Sequence, residues 1–415
     1  MKRLVYVFLC TLCITVYGQY NDRRRGESEP IKKVAWLDAQ MKGTLWRVGQ
    51  LFVGPRIGIK QMGYDSNVSS ADVGAEDSDF TAAPQLQLAT YYRINPHFVW
   101  ENTMSYNYRW FKDLDQYSGD EYGAKSSFYG MFERVFFNIS YLYDSDLSRL
   151  NSEIDERARN DRNQWAGEVV LDLSSKSSLK MSIRRYRLKY QDGSGDLRQL
   201  NQEVDTKSIY YFYGNNPALK PFVGLSWEDT VFPNPEDIRN GGRETLYFGF
   251  RGEIERRLDY KVEFGAARRK FDFEASEEVP ITGKDDWRGS SYVNYELNRL
   301  WSVHGGFNYT TYYSYTGNAS QFYSMRYRAG FLYLTKLRFR VGPNFSIGNN
   351  DYDSILDEEV SRKDKIMSAD LVIKVPLRSR NLEWDVRFGY LKKDSDVIGQ
   401  SDEGFTFMMN FNLLK

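Results

Sequence analysis

Cysteine is nearly missing from this 415-residue chain, and the two present, Cys10 and Cys13, both fall in its first eighteen residues. Past that point no disulfide and no thiolate metal site is available. Histidine is as scarce, with only His97 and His304. Ser302 stands two residues before His304, but no distinctive nucleophile motif surrounds it, and a triad needs a base and a third orienting group close at hand. Phosphate-cradling glycine loops, zinc spacings and nucleic-acid motifs do not occur. The residues therefore argue against an enzyme, a cofactor, a metal centre and a nucleic-acid partner.

Long apolar runs are missing too. Mean hydropathy is −0.60, and after the first residues no apolar stretch approaches the ~18 residues a membrane helix needs. That excludes a bundle of membrane helices. A β-barrel remains open, because lipid-facing and lumen-facing residues average out in any hydropathy window. Net charge is absent as well, with 56 basic and 56 acidic residues.

Aromatic residues and alternation are what the chain has instead. Tyr, Phe and Trp make up 16% of it, an excess that suits girdles at two membrane interfaces. From Phe98 onward, Phe98, Trp100, Met104, Tyr106, Tyr108 and Trp110 share one parity, and Val99, Glu101, Thr103, Ser105, Asn107 and Arg109 the other. Successive side chains of a strand point to opposite faces, so this segment is a strand with one apolar and one largely polar face. The same pattern recurs at Val135–Tyr143, Leu258–Ala266 and Leu382–Tyr390. In the segment 179–190 the apolar parity flips between Ile183 and Tyr186, which predicts a bulge or a shifted boundary.

The start reads as a secretory signal. Lys2 and Arg3 precede the apolar stretch Leu4 to Val16, and Val16-Tyr17-Gly18 predicts cleavage before Gln19. Leu9 and Leu12 precede the cysteines where a lipoprotein signal would want a small residue, so no lipid anchor is expected. Residues 1–18 are thus the signal peptide, 19–52 a periplasmic N-terminal leader, and 53–415 the barrel. The leader is polar, with Arg23-Arg24-Arg25 near its start. It is read as irregular, in preference to a periplasmic contact or a small internal constriction.

Eighteen strands are predicted, at 53–64, 82–93, 97–111, 123–133, 135–145, 164–173, 179–190, 206–214, 219–229, 243–253, 258–272, 286–297, 300–313, 322–334, 337–348, 364–375, 382–393 and 403–413. Short connections alternate with long ones, and both barrel ends fall on the short side. The expected fold is all-β: a transmembrane antiparallel up-and-down barrel of about 18 strands with short periplasmic turns and long extracellular loops. Closure removes sheet edges that lipid cannot solvate, and ~16–18 strands leave an aqueous channel. The function expected is an outer-membrane channel. The alternative is a non-conducting barrel whose acidic surface loops serve adhesion or assembly. Expected partners are outer-membrane lipid, lipopolysaccharide and the barrel-assembly machinery.

Zero net charge conceals a segregation: the long loops are acidic, the rest basic. Asp65, Asp72, Glu76, Asp77 and Asp79 share one loop. Asp-X-Asp pieces such as Asp77-Ser78-Asp79, Asp351-Tyr352-Asp353 and Asp394-Ser395-Asp396 lack the glycine and distal glutamate of a dedicated calcium loop, so solvated loops are the plainer reading. A second group of cations has lumen parity: Arg56, Lys60, Arg109, Arg184, Arg251, Lys261, Arg326, Arg328, Arg338, Arg340, Lys374 and Arg387. An arginine facing lipid at the midplane would cost ~2–4 kcal/mol, so these point into water. Arg326, Arg328, Arg338 and Arg340 lie on two arms of one hairpin and are expected to form a basic ladder. Either the lumen favours anions, or it is a mixed-charge wall whose arginines pair with Glu101, Glu168, Asp172, Asp259, Glu263, Glu383 and Asp385; the mixed wall is the plainer reading.

The first hairpin carries a resemblance. Phe52-Val53-Gly54-Pro55-Arg56-Ile57-Gly58-Ile59 runs into Tyr64-Asp65-Ser66-Asn67-Val68, and Ser78-Asp79-Phe80 leads to Pro84-Gln85-Leu86-Gln87-Leu88. These roughly forty residues resemble the opening of the β-barrel porin 2 family, some members of which are associated with exopolysaccharide synthesis and export. The resemblance implies a conduit, with a polysaccharide as cargo and export components as partners. The final alternation Phe405, Phe407, Met409, Phe411, Leu413 resembles a barrel-assembly signal, without the usual terminal aromatic.

Overall fold

The computed structural model describes residues 30–68, 77–148, 158–191, 200–214, 216–234, 237, 239–255, 257–272, 284–313, 321–353, 362–376, 382–397 and 401–414. The signal peptide with Cys10 and Cys13, the arginines 23–25, and the loop acids Asp72 and Glu76 lie outside these residues. A helix α1 (Pro30–Lys42) and a short strand β1 (Trp46–Val48) precede the barrel. The barrel strands are β2 (Leu51–Asp65), β3 (Asp79–Asn95), β4 (Phe98–Phe111), β5 (Gly119–Met131), β6 (Val135–Ser148), β7 (Ala158–Ser174), β8 (Ser177–Tyr190), β9 (Gln202–Tyr213) and β10 (Lys220–Val231). They continue as β11 (Gly241–Ile254), β12 (Leu258–Phe271), β13 (Lys284–Glu296), β14 (Trp301–Tyr313), β15 (Gln321–Leu334), β16 (Arg340–Asp353), β17 (Lys363–Pro376), β18 (Leu382–Ser395) and β19 (Asp402–Leu414).

Every barrel strand pairs antiparallel with its neighbours in sequence, and β19 pairs with β2. The sheet is therefore closed by eighteen strands, as the alternation predicts, with β1 as one extra strand on β2. Alternation is what makes closure favourable: the outer parity meets lipid and the inner parity meets water, so no backbone edge is left in hydrocarbon. Trp100, Met104, Tyr106, Tyr108 and Trp110 are exposed on the outside of β4, while Val99, Glu101 and Phe111 are buried inside. Outer aromatics also fill the space that glycines leave. The Phe137 ring lies over Gly130 of the neighbouring strand, where a Cβ would come within 2.1 Å of it.

Closure is made through a bulge. The pairing of β2 shifts between Lys60 and Gly63 against β3, and between Ile59 and Met62 against β19. Gln61 takes a positive φ of 51° there and donates its backbone N–H to Asn410 Oδ1 at 2.8 Å. The extra residue switches the inward parity from Lys60 to Gly63 and lets β19 and β2 meet at an angle.

Three expectations need correction. Strand β8 has no bulge between Ile183 and Tyr186: it runs in unbroken register with β9, and with β7 from Ser178 onward. The apolar parity stops because the strand leaves the membrane, and Arg185 and Arg187 continue the outward face beyond Ile183. Strand β16 begins at Arg340, not at 337; Arg338 sits in the preceding turn with φ 66°, and its N–H reaches Thr335 O at 2.9 Å. The leader, expected to be irregular, contains the thirteen-residue helix α1.

Candidate conduction pathway

The wall and helix α1 together define the lumen. Leu37 and Met41, one helical turn apart, are buried against Ala89, Tyr91, Val99, Tyr129, Met131, Phe136 and Val170, with Val34 and Trp36 packed beside them. The seven wall residues carry the inward parity of β3 to β7 and lie at the short-turn end. The helix therefore stands inside the barrel mouth on that arc, its apolar stripe on the wall. Asp38 pairs with Arg93 of β3. Thr44 Oγ1 bonds Met41 O at 2.7 Å and Gly43 N–H bonds Ala39 O at 3.1 Å, which closes the C-terminal turn. The chain then turns at Gly49 (φ 61°) into β2.

Inward charges divide into two arcs. On β4 to β13 most of them meet a carboxylate: Lys125–Glu101 at 2.9 Å, Arg109–Glu121 at 2.7 Å, Arg162–Asp146 at 2.5 Å, Lys180–Glu168 at 2.8 Å, Arg243–Glu228 at 2.7 Å and Lys261–Glu263 at 3.0 Å. From β15 round through the closure to β2, Arg328, Arg340, Lys374, Arg387, Arg56 and Lys60 point inward, and none forms an ion pair among the described residues. Arg340 and Lys374 stand directly opposite each other on neighbouring strands. Arg56, Lys60, Arg340 and Arg387 are exposed to the lumen, with Asp370 and Asp385 interspersed. Like charges left together in this way raise the local potential for anions.

The remaining candidates are less free. Arg184 reaches Thr206 Oγ1 at 3.4 Å. Arg251 lies over the Phe212 ring at 4.3 Å, and Arg326 reaches Ser324 Oγ at 3.5 Å. The four-arginine ladder does not form. Arg326 and Arg328 are neighbours on the inner face of β15, but Arg328 is opposite Ser346, six residues along β16 from Arg340, a span of about 20 Å. Arg338 belongs to the turn. Lys60, Arg109 and Arg387 do converge, on a niche of about 520 Å³ that also presents Asp65, Asp370, Asp385 and Asn410.

Sequence reasoning gave no sign of a second narrowing, at the long-loop end. Pairing of β13 with β14 stops at Gly289 and Tyr309. Beyond it, Thr311 and Gln321, which have outward parity lower down their strands, meet inward-facing residues of the adjoining wall. Arg269 Nη1 donates to Gln321 Oε1 at 2.5 Å, Arg243 Nη1 to Thr311 O at 3.4 Å, and Thr311 Oγ1 to Asp286. All five side chains are buried. The tips of β14 and β15 thus lean inside the wall of β11 to β13. Loop carboxylates are engaged in the same way. Asp79 Oδ2 accepts from the N–H groups of Asp113 and Leu114, both at 2.8 Å, and Asp396 Oδ1 from Lys363 N–H at 2.7 Å. His304, on the inner face, contacts Asn344 Oδ1 through Nε2 at 2.8 Å across Gly330.

An apolar belt outside, a charged face inside, and closure by antiparallel neighbours define an outer-membrane β-barrel, and that is the class of this chain. Solved structures of similar fold include OpdQ of Pseudomonas aeruginosa (12% identity, TM-score 0.50, covering 87% of this chain and 97% of that one). OccAB3 of Acinetobacter baumannii is 11% identical with a TM-score of 0.51, over 87% of this chain and 98% of that one. The outer membrane protein OpdK of Pseudomonas aeruginosa is 9% identical with a TM-score of 0.52, over the same shares. No family model matches the chain, and no curated protein matches it in sequence.

Proposed function

We propose that this barrel is a passive, non-enzymatic channel for polar solutes that favours anions, and that acidic glycan segments are the cargo its lumen suits. The observation that carries this reading is the arc of six inward cations from β15 to β2 without ion pairs among the described residues. A charged lining selects counter-ions, and an arc of exposed guanidinium groups offers bidentate contacts to carboxylates. The resemblance of the first hairpin to the β-barrel porin 2 family supports an exported polysaccharide as the finer cargo, with export components as periplasmic partners. Helix α1 narrows the mouth along β3 to β7 and leaves the basic arc from β15 to β2 beside it uncovered, so the solute path runs along the basic side.

The second reading is a non-conducting barrel with adhesive or assembly-directed loops. The buried polar contacts of Arg243, Arg269 and Asp286 at the long-loop end favour it. Single-channel recording separates the two. Mature chain refolded into a planar bilayer should give a steady conductance and, under a KCl gradient, a reversal potential on the chloride side. A folded barrel that passes no current would overturn the channel reading, and a cation-preferring current would overturn the role given to the arc.

A further inference from the structure

The niche at the barrel closure holds charges of both signs that do not meet. Lys60 of β2 and Arg387 of β18 form no ion pair among the described residues, and neither does Asp370 of β17 or Asp385 of β18, although all four line the same hollow. We propose that this niche binds a small zwitterionic solute, one that carries a carboxylate and an ammonium group on the same molecule. The proposal takes from the channel reading only that solutes reach the lumen.

The hollow is made by the bulge. Past Gln61 the inward position of β2 passes to Gly63, which stands between Met408 of β19 and Thr81 of β3. A residue without a side chain at this point leaves about 520 Å³ open between the charged groups. Among the described residues Gln61 is the one non-glycine residue inside a strand with a positive φ. Bulges and strained backbone of this kind re-aim side chains beside functional sites.

The carboxylates are placed and left open. Gln61 N–H donates to Asn410 Oδ1 at 2.8 Å, and Asn410 Nδ2 donates to Asp385 Oδ2 at 2.7 Å. That relay orients Asp385 and leaves its Oδ1 for a ligand. The Asp370 side chain has no hydrogen-bond partner among the described residues. It leans over Gly389, where a Cβ would come within 2.9 Å of its Oδ1.

Donors wait on the other side. Thr81 is buried, yet its Oγ1 has no partner, and neither has Arg109 Nε, although Arg109 Nη2 holds Glu121 at 2.7 Å. Both residues line the niche. A buried polar atom is costly until a ligand or water completes it.

The balance of charge selects the ligand class. An anion alone would face Asp370 and Asp385, and Glu121 and Asp144 also lie within electrostatic range of Lys60. A cation alone would face Lys60 and Arg387, with Lys374 across from Asp385 in register. A zwitterion meets both sets with the right sign: its carboxylate takes Arg387, Lys60 and the Thr81 hydroxyl, and its ammonium group donates to Asp370 and Asp385.

The test uses the full mature barrel folded in maltoside micelles, with binding read by saturation-transfer NMR, which needs no current. The probes are serine and γ-aminobutyrate, with short and longer charge separation, and butyrate and butylammonium as single-charge controls. At least one zwitterion should bind about tenfold more tightly than both controls. Asp370→Asn breaks no contact among the described residues and leaves folding intact. It should weaken that zwitterion about tenfold and leave butyrate no weaker. Arg387→Gln should weaken the zwitterion and butyrate alike and spare butylammonium. Neither zwitterion ahead of the controls, or wild-type affinity for it in Asp370→Asn, would overturn the proposal. Zwitterion binding by a barrel that passes no current would overturn the channel reading and uphold the site.

Discussion

Asp38 of helix α1 pairs with Arg93 of β3 across the floor of the barrel mouth. The pair ties the helix to the wall of β3 to β7, beside the unmatched cations, which begin on the adjoining strand β2. Both groups are over a third exposed, so the pair itself contributes little, about 0–1 kcal/mol. Position comes chiefly from the apolar stripe of Leu37 and Met41.

Undocking the helix should widen the channel. Leu37→Ala and Met41→Ala each remove a fully buried side chain, at a cost of ~2–5 kcal/mol apiece, enough to release a thirteen-residue helix. Single-channel conductance should rise and become noisier, while heat-modifiable mobility on gels stays that of a folded barrel. The same steady conductance as wild type would mean the helix does not narrow the path.

Selectivity should follow the basic arc. A unit charge about 6 Å from a passing ion in water is worth ~0.7 kcal/mol, so Arg56→Gln and Arg387→Gln should each lower the anion-to-cation permeability ratio about threefold. Raising the salt to 1 M shrinks the screening length to ~3 Å and should erase most of the preference. Reversal potentials at the two salt concentrations check both statements.

The wall has a testable polarity. Phe137 packs among Phe98 and Phe128 on the lipid face, whereas Asn138 faces inward opposite Tyr129 and Glu168. Phe137→Arg should cost ~2–4 kcal/mol and impair assembly, and Asn138→Arg should not. Equal assembly yields for the two would show the faces to be assigned wrongly.

Closure should be vulnerable at Gly63. A Cβ there would lie 1.8 Å from the carbonyl oxygen of Phe407, a backbone atom of the partner strand that has nowhere to move. Gly63→Ala should open the pairing of β2 with β19 and lower the temperature at which the barrel unfolds on semi-native gels. Gly49→Ala, at a positive φ but with nothing within 4 Å of its Cβ, serves as the strain-only comparison and should have the smaller effect.

Strand number and the assignment of inner and outer faces were legible without coordinates, because the two-residue period of a strand is imposed directly by lipid on one side and water on the other. Strand ends were legible only where lipid reaches. Beyond the membrane both faces of β6, β7 and β16 are polar, so these strands run on to Ser148, back to Ala158 and on to Asp353 with no hydrophobic alternation to mark them. The same loss of contrast produced the apparent bulge in β8. Helix α1 was missed for a related reason: its stripe of Val34, Leu37 and Met41 is short and set among lysines, and only a concave apolar wall from five strands makes it favourable.

The candidate lumen cations were likewise nameable residue by residue, since parity alone assigns the side of the wall. Which of them are neutralised depends on register. Arg109 meets Glu121 and Lys261 meets Glu263, while Arg340 faces Lys374. Composition and alternation thus determined a closed outer-membrane barrel of eighteen strands, because each local choice of parity is made by the solvent the residue meets. Only the tertiary structure decided where the charges remain unmatched, where the helix seats and how the β14–β15 tips lean inward, because those depend on residues far apart in the chain being brought to one height on a curved wall.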